Sequence, residues 1–465
     1  RRLDHPHAPC TRSRRSRQHL AATAAVALTV ALCIGEPAPL RAAAAATLTL
    51  TEAVERALAA GATARLARLE RERAAAAAAA AASIYWPRAD VSSQAGYTNR
   101  LDERIEAVDA DGNVREYGLG SLASNEGWFN FVVSQVVFDL ARWKQAESAQ
   151  LEAEVAALRE THEQESASFA VLEAYVEALR ARNLLERQRE RLARIEAFDA
   201  RAGALLEAGR CLAGERSEVG LYLEEARLEL RAREARAASA RSALALLLGE
   251  ETPAWDAIDA DLSRLDQGDF SLPLDRIDAA PELRLLAVRR EIERLNVDAA
   301  RAGRYPVVAL GGGYTNYGAY RYDNFVDELR IGIDFQMPLF EGFRRSHEIA
   351  GAQKALAAAD VRFESLRRAK RVRIETLAAG LDGAERAAAL LQERERLGAE
   401  RVRLATVALD SQHGSVPVAL AAQRESDASG DAGVAARLQP VLLRGEILRE
   451  AGQLTRTLRE PAGDA

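Results

Sequence analysis

The sequence predicts a mixed α/β membrane protein built as a duplicated unit, each copy combining long coiled-coil-like helices with two strands. Three observations carry this. The composition is 48% hydrophobic but only 5% aromatic, with 28% charged residues, a balance that favours long helices over a sandwich or an α/β enzyme. A set of sequence markers recurs in one order at a nearly constant offset of 202 to 205 residues, the mark of an internal duplication. Short segments between the helices alternate apolar and polar residues with period two, as strands do.

The N-terminus reads as an export signal. Arg12, Arg14, Arg15 and Arg17 precede an apolar run from Leu20 to Gly35, and Ala42–Ala46 offer a small-residue cleavage site before Thr47. Leu32 ahead of Cys33 is not the small residue a lipidation site wants. Without residues 1–46 the chain has 56 basic and 67 acidic residues, a net charge of −11, which argues against nucleic acid as a partner. Of the cysteines only Cys211 then remains, so no internal disulfide is expected. No other segment reaches the roughly 18 apolar residues of a membrane helix, so a membrane crossing would have to use strands.

The first repeat spans 47–250 and the second 282–456, with a connecting segment at 251–281 and a tail at 457–465. Ser83-Ile84-Tyr85-Trp86-Pro87 followed by Gly96-Tyr97-Thr98-Asn99 corresponds to Arg304-Tyr305-Pro306 followed by Gly313-Tyr314-Thr315-Asn316. Phe138-Asp139 corresponds to Phe340-Glu341, Gly209 to Gly414, and Leu248-Gly249 to Ala451-Gly452. Each repeat reads helix, strand, loop, strand, very long helix, turn, helix. Pro87 and Pro306 mark the passage from helix to extended chain.

Strands are expected at about 89–99, 128–138, 306–316 and 328–338, each with roughly the 9–11 residues that cross a bilayer when tilted. The last is the clearest. Leu329, Ile331, Ile333, Phe335 and Met337 form one apolar face, expected to meet lipid, while Arg330, Asp334 and Gln336 alternate with them, expected to face a wet lumen. The segment Trp128–Phe138 repeats the pattern with Gln135 as an exception. A soluble half-buried sheet alternates in the same way, but the export signal and the length of the helices count against it.

From Asp139 to Leu205 the chain has no proline, enough for about 100 Å of helix. Val155, Leu158, Phe169, Leu172, Val176 and Leu179 fall at steps of three and four, as in coiled-coil packing. Two shorter helices, 52–84 and 217–249, would stack end to end beside it. Four strands cannot close a barrel, and open edges in lipid leave backbone groups unpaired. The chain must therefore oligomerise, to eight strands from two copies or twelve from three.

Chemistry-bearing motifs are absent from this reading. Gly118-Leu119-Gly120 lies between two strands with no helix following, which is not a nucleotide-binding context. The six histidines are scattered, no metal-ligand spacing occurs, and no cofactor or catalytic constellation is indicated.

Over Thr47–Arg456 the chain resembles the TolC family of outer-membrane efflux factors. The resemblance rests on Leu50-Thr51-Glu52-Ala53, Pro87 and Pro306, Phe138-Asp139 and Phe340-Glu341, the helix-turn glycines, and Gln423-Arg424, in duplicated order. It implies a homotrimer with a twelve-stranded transmembrane β-barrel in outer-membrane lipid, continued by a periplasmic α-helical barrel. Such a duct serves efflux or type I secretion without catalysis of its own. Its tip is closed until a periplasmic adaptor and an inner-membrane pump or exporter open it. The gate and adaptor contact then map to Gly209–Val219 and Gly414–Gln423, in particular to Gly209, Glu218, Val219, Gly414, Ser415, Val418, Ala421 and Gln423.

Here the sequence departs from the family. Where relatives often carry acids, this chain has Val418, Ala419, Leu420 and Ala421. Glu218 is the nearest acid in the first turn, which reads as holding three extra residues. An apolar gate is expected. Ser426–Gly433 is expected to kink the last helix, since glycine weakens a helix by about 1 kcal/mol each. The rival reading is a periplasmic coiled-coil adaptor or scaffold, which normally carries one hairpin rather than two.

Overall fold

The computed structural model describes residues 47–108, 114–253, 255, 257–267, 274–319 and 324–459; the expected export signal lies outside them, as do residues 460–465 of the tail. Strand β1 (Thr47–Leu48) leads to helix α1 (Leu50–Ala60), capped by the Thr49 hydroxyl, which accepts from the Glu52 N–H at 3.2 Å. The single helix expected at 52–84 is broken at Gly61. A Cβ there would overlap the Ala57 carbonyl oxygen, so glycine alone permits the step into α2 (Ala62–Ala82). A short 3₁₀ turn at Ser83–Tyr85 and Pro87 deliver the chain to β2 (Arg88–Val108) and β3 (Val114–Phe138). Then follow α3 (Leu140–Glu207), α4 (Ala213–Leu247), β4 (Ala257–Ile258) and α5 (Pro281–Ala302). The second repeat continues with β5 (Val307–Ala319), β6 (Asn324–Gln336), α6 (Arg344–Asp410), α7 (Val416–Glu450) and α8 (Leu454–Arg459).

The strands form one antiparallel sheet in the order β2-β3-β5-β6. They outrun the expected lengths: β2 and β3 have 21 and 25 residues, β5 and β6 have 13 each. Apolar alternation stops where backbone pairing does not, because β2 and β3 stay paired from Arg88↔Ser134 to Val108↔Val114. Gly118-Leu119-Gly120 lies within β3. Strands β2 and β6 are edges in the single chain.

The turns correct the sequence reading. Helices α3 and α4 are joined by 208–212, and α6 and α7 by 411–415, so both connections have the same length and the first holds no extra residues. The left-handed residues are Gly209 (φ 69°) and Gln412 (φ 66°), so Gly209 corresponds to Gln412 rather than to Gly414. That step of 203 also separates Gly249 from Gly452, which end their helices at φ 78° and 69°. Gly414 is required for a different reason: a Cβ would lie 2.8 Å from the Leu409 nitrogen.

Nor does Ser426–Gly433 kink its helix, since α7 runs unbroken from Val416 to Glu450. The small residues instead let α7 approach its neighbours. A Cβ on Gly430 would collide with the Arg187 guanidinium of α3, and one on Gly398 of α6 would lie 3.3 Å from the Ser426 Cα.

The connecting segment is more than a linker. Strand β4 pairs in parallel with β1, and Trp255, Ile258 and Leu265 are buried with Leu48, Leu172, Tyr175 and Leu179. The Tyr175 hydroxyl sits 2.9 Å from the Leu48 carbonyl oxygen and 2.8 Å from that of Asp259, sharing its proton between them. Val155, Leu158, Phe169, Leu172, Val176 and Leu179 are all buried. Among the described residues no helix is long and apolar enough to cross a membrane.

Candidate functional site

Two regions carry functional potential, the sheet and the helix tips. Leu329, Ile331, Ile333 and Phe335 share one face of β6 and are 76, 76, 72 and 66% exposed. Register aligns Leu329 with Tyr314 and Phe131, and Ile331 with Gly312 and Val133. The apolar band ends where the Tyr314 hydroxyl and the Asn316 amide donate to Asp327 at 2.6 and 2.8 Å. At the other end Leu339, Phe340 and Phe343 stand exposed, turned outward by left-handed backbone at Gly342 (φ 57°) and Phe343 (φ 64°). Between them Leu329–Met337 spans about 26 Å of strand.

The opposite face holds Arg330, Asp334 and Gln336, all exposed. Glycines 311, 313 and 332 leave a recess of about 340 Å³ beside Arg330 and Asp334. Thr315 and Asn130 are joined across it at 3.0 Å, and Arg330 pairs with Glu328 at 2.8 Å.

At the tips, the expected gate residues separate into two groups. Val219 is fully buried in a cluster with Ile195, Tyr222, Leu409, Val416 and Leu420. Gly209, Glu218, Gly414, Ser415, Val418 and Ala421 are exposed, and Gln423 is half-buried. The buried apolar packing at the tip of one chain thus includes Val219, Val416, Ala419 and Leu420. Val418 and Ala421 point outward.

Behind this cluster lies an ionic seam that sequence reasoning missed. Buried Asp427 of α7 accepts from Arg194 of α3 at 2.9 Å, from the Tyr222 hydroxyl of α4 at 2.8 Å, and from Gln423 at 3.2 Å. Arg191 Nε lies 3.2 Å from Asp427, too oblique for a hydrogen bond, so it acts as an ion pair while its Nη1 binds Glu229 at 2.9 Å. Arg191 and Arg424 flank the Tyr222 ring at 4.9 and 4.8 Å. Burial first, and then the Asp427 carboxylate, raises the Tyr222 phenol pKa far above its ordinary value, which keeps it a donor.

Further links cross between the hairpins: Arg187–Glu395 at 2.6 Å, Arg201–Asp410, and Arg233–Asp431. Burial opposes the charge on Glu395, but Arg437 and Arg187 outweigh it and hold this carboxyl below its usual range. In each of these pairs the arginine comes from the α3–α4 hairpin and the acid from the α6–α7 hairpin. The signal that could have revealed the seam is Asp427 and Asp431 inside a stretch of Ser, Ala and Gly, residues small enough for arginine to reach across.

Residues 275–444 match the sequence profile of the outer membrane efflux protein family. No curated protein matches the chain in sequence. The fold is similar to that of the outer membrane protein VceC of Vibrio cholerae, with TM-score 0.71 and 16% identity over 87% of this chain and 96% of that one. It is similar to the CmeC outer membrane channel of Campylobacter jejuni, with TM-score 0.72 and 15% identity over 87% of this chain and 86% of that one. The open state of the MtrE outer membrane channel of Neisseria gonorrhoeae gives TM-score 0.72 and 17% identity over 89% and 91%. The second repeat therefore matches the outer membrane efflux protein family, and the described chain has the fold of TolC-like outer-membrane channels.

Proposed function

We propose that three copies of the chain form a passive outer-membrane exit duct, part of a tripartite efflux or type I secretion system. The observation that carries this is the four-stranded sheet with one exposed apolar face and two open edges, continuous with helices of 68 and 67 residues. Three sheets edge to edge give twelve strands in lipid, and the helices continue as a periplasmic tunnel. The chain does no chemistry; a periplasmic adaptor and an inner-membrane pump or exporter supply the energy.

The step of 203 supports self-assembly. It carries Arg187, Arg194 and Arg201 of the ionic seam onto Leu390, Leu397 and Leu404, a heptad stripe on α6 that is 65, 49 and 52% exposed. It carries Asp431 onto exposed Leu228, one heptad beyond exposed Leu221. The surface a neighbouring copy meets is thus leucine where the intrachain seam is ionic. Mass measurement of the detergent-solubilised protein is expected to give three chains, with Leu397→Lys shifting it towards monomer; a stable wild-type monomer overturns the barrel.

Ile331 faces lipid and Asp334 the lumen in this assembly. Ile331→Arg is expected to cost about 2–4 kcal/mol near the midplane, and Asp334→Arg far less. Equal assembly yields for the two variants would show the faces reversed.

At the tip, exposed Val418 and Ala421 converge from three copies with little negative charge beside them, so apolar packing closes the gate. Conductance in planar bilayers is expected to be weakly cation-selective and insensitive to di- and trivalent cations. Block by micromolar trivalent cation that Glu218→Gln abolishes would mean an acidic gate instead.

A further inference from the structure

The base of the first hairpin, where α2 passes into β2 and β3 into α3, contains a cavity of about 660 Å³. Its walls are apolar at Ile84, Trp86, Pro87 and Val136 and polar at Gln145 and Arg142. That volume suits a small organic molecule.

The charges at its rim are unequal. Arg88 holds both oxygens of Asp90, with Nε 2.7 Å from one and Nη2 3.0 Å from the other. Arg142 is held through Nε alone. Asp139 caps α3 by accepting the Arg142 backbone N–H at 3.0 Å, and its other oxygen meets Arg142 Nε at 3.3 Å. The two terminal nitrogens of Arg142 have no protein partner among the described residues, and the side chain is 62% exposed. Planar guanidinium donors left open over an apolar wall suit a carboxylate, sulfonate or phosphate attached to a hydrophobic body.

The second repeat provides a comparison within the same molecule. Counting back from the tips at the step of 203, one residue off the step of 202 between Phe138 and Phe340, Arg142 corresponds to Arg345. The Arg345 guanidinium packs against Gly303, whose missing side chain makes the room, and is held by Glu341 at 3.2 Å and Glu348 at 3.3 Å. There the arginine fills the junction and its donors are satisfied. At the first junction Ile84 and Trp86 wall the space, and the arginine stands at its rim.

Register places Ser134 and Val136, which line the cavity, on the same sheet face as Arg330 and Asp334. We infer that this cavity is a transit site for amphipathic organic anions, an inference that rests on the exit-duct reading because the ligand would come from the channel contents. Arg142 binds the anionic group, and Ile84, Trp86 and Val136 cover the apolar body.

The test uses the full chain in nanodiscs of zwitterionic lipid, with naphthalene-2-sulfonate as probe and 2-naphthalenemethanol and naphthylmethylammonium as comparators. Calorimetry is expected to show one saturable sulfonate site per chain, weakened at least roughly tenfold by Arg142→Gln and by Ser83→Phe, which fills the cavity. Arg345→Gln should leave the affinity unchanged. Equal sulfonate affinity in wild type and Arg142→Gln, or ammonium binding as tight as sulfonate, overturns the inference. Planar-bilayer conductance of the same preparations separates the two claims. Normal conductance without sulfonate binding removes the transit site alone, whereas a wild-type protein that never conducts removes the duct.

Discussion

Asp427→Ala is expected to destabilise the helical tip by about 3–5 kcal/mol, the cost of leaving buried charge without its partner. The carboxylate is 7% exposed and gathers Arg194, Tyr222 and Gln423 by hydrogen bonds, with Arg191 as an ion pair. Its removal strands a guanidinium and a phenol in a space that α7 keeps narrow. Asp427→Asn retains the shape and an acceptor, so its loss should be smaller. Thermal unfolding followed by helical circular dichroism checks both. If alanine costs under about 1 kcal/mol, the value of an exposed surface pair, the seam is decorative.

Trp255→Ala should cost a similar amount, about 3–5 kcal/mol, because it empties an aromatic volume from the core. Trp255 is 2% exposed and belongs to the cluster that joins the connecting segment to α3. Arg241 covers its ring at 5.1 Å and donates to its carbonyl at 2.7 Å. The indole Nε1 is buried without a hydrogen-bond partner. Trp255→Phe removes that unsatisfied donor and is expected to be much milder than alanine. Chemical unfolding of the two variants side by side decides this; equal losses would mean that a phenylalanine ring restores none of the packing that Trp255 provides.

The long helices and the alternating strand residues were legible because each obeys one period over many residues. Leu172 and Val176 announce a buried helical stripe, and Ile331 and Ile333 an exposed strand face. Where two effects compete, the sequence reading failed. Glycine weakens an isolated helix, so Ser426–Gly433 read as a kink. In the folded chain Gly430 admits Arg187 and Gly433 faces Glu395, and tertiary contacts hold α7 straight. The turns failed for another reason. Gly209 and Gly414 look equivalent as letters, but the left-handed position of the second turn is filled by Gln412. The ionic seam was hidden because its partners lie some 200 residues apart, as Arg187 and Glu395 do, and sequence periodicity reports only along one helix.

At the step of 203 the two halves are complementary rather than equivalent. Arg187 and Arg233 find Glu395 and Asp431 in the second half, whereas the corresponding positions in the first half are Leu192 and Leu228. A ring assembled from first halves alone would therefore set arginine against leucine at two points of every seam. The halves are thus complementary and not interchangeable, and a chain carrying two first halves would lose the Arg187–Glu395 and Arg233–Asp431 pairs.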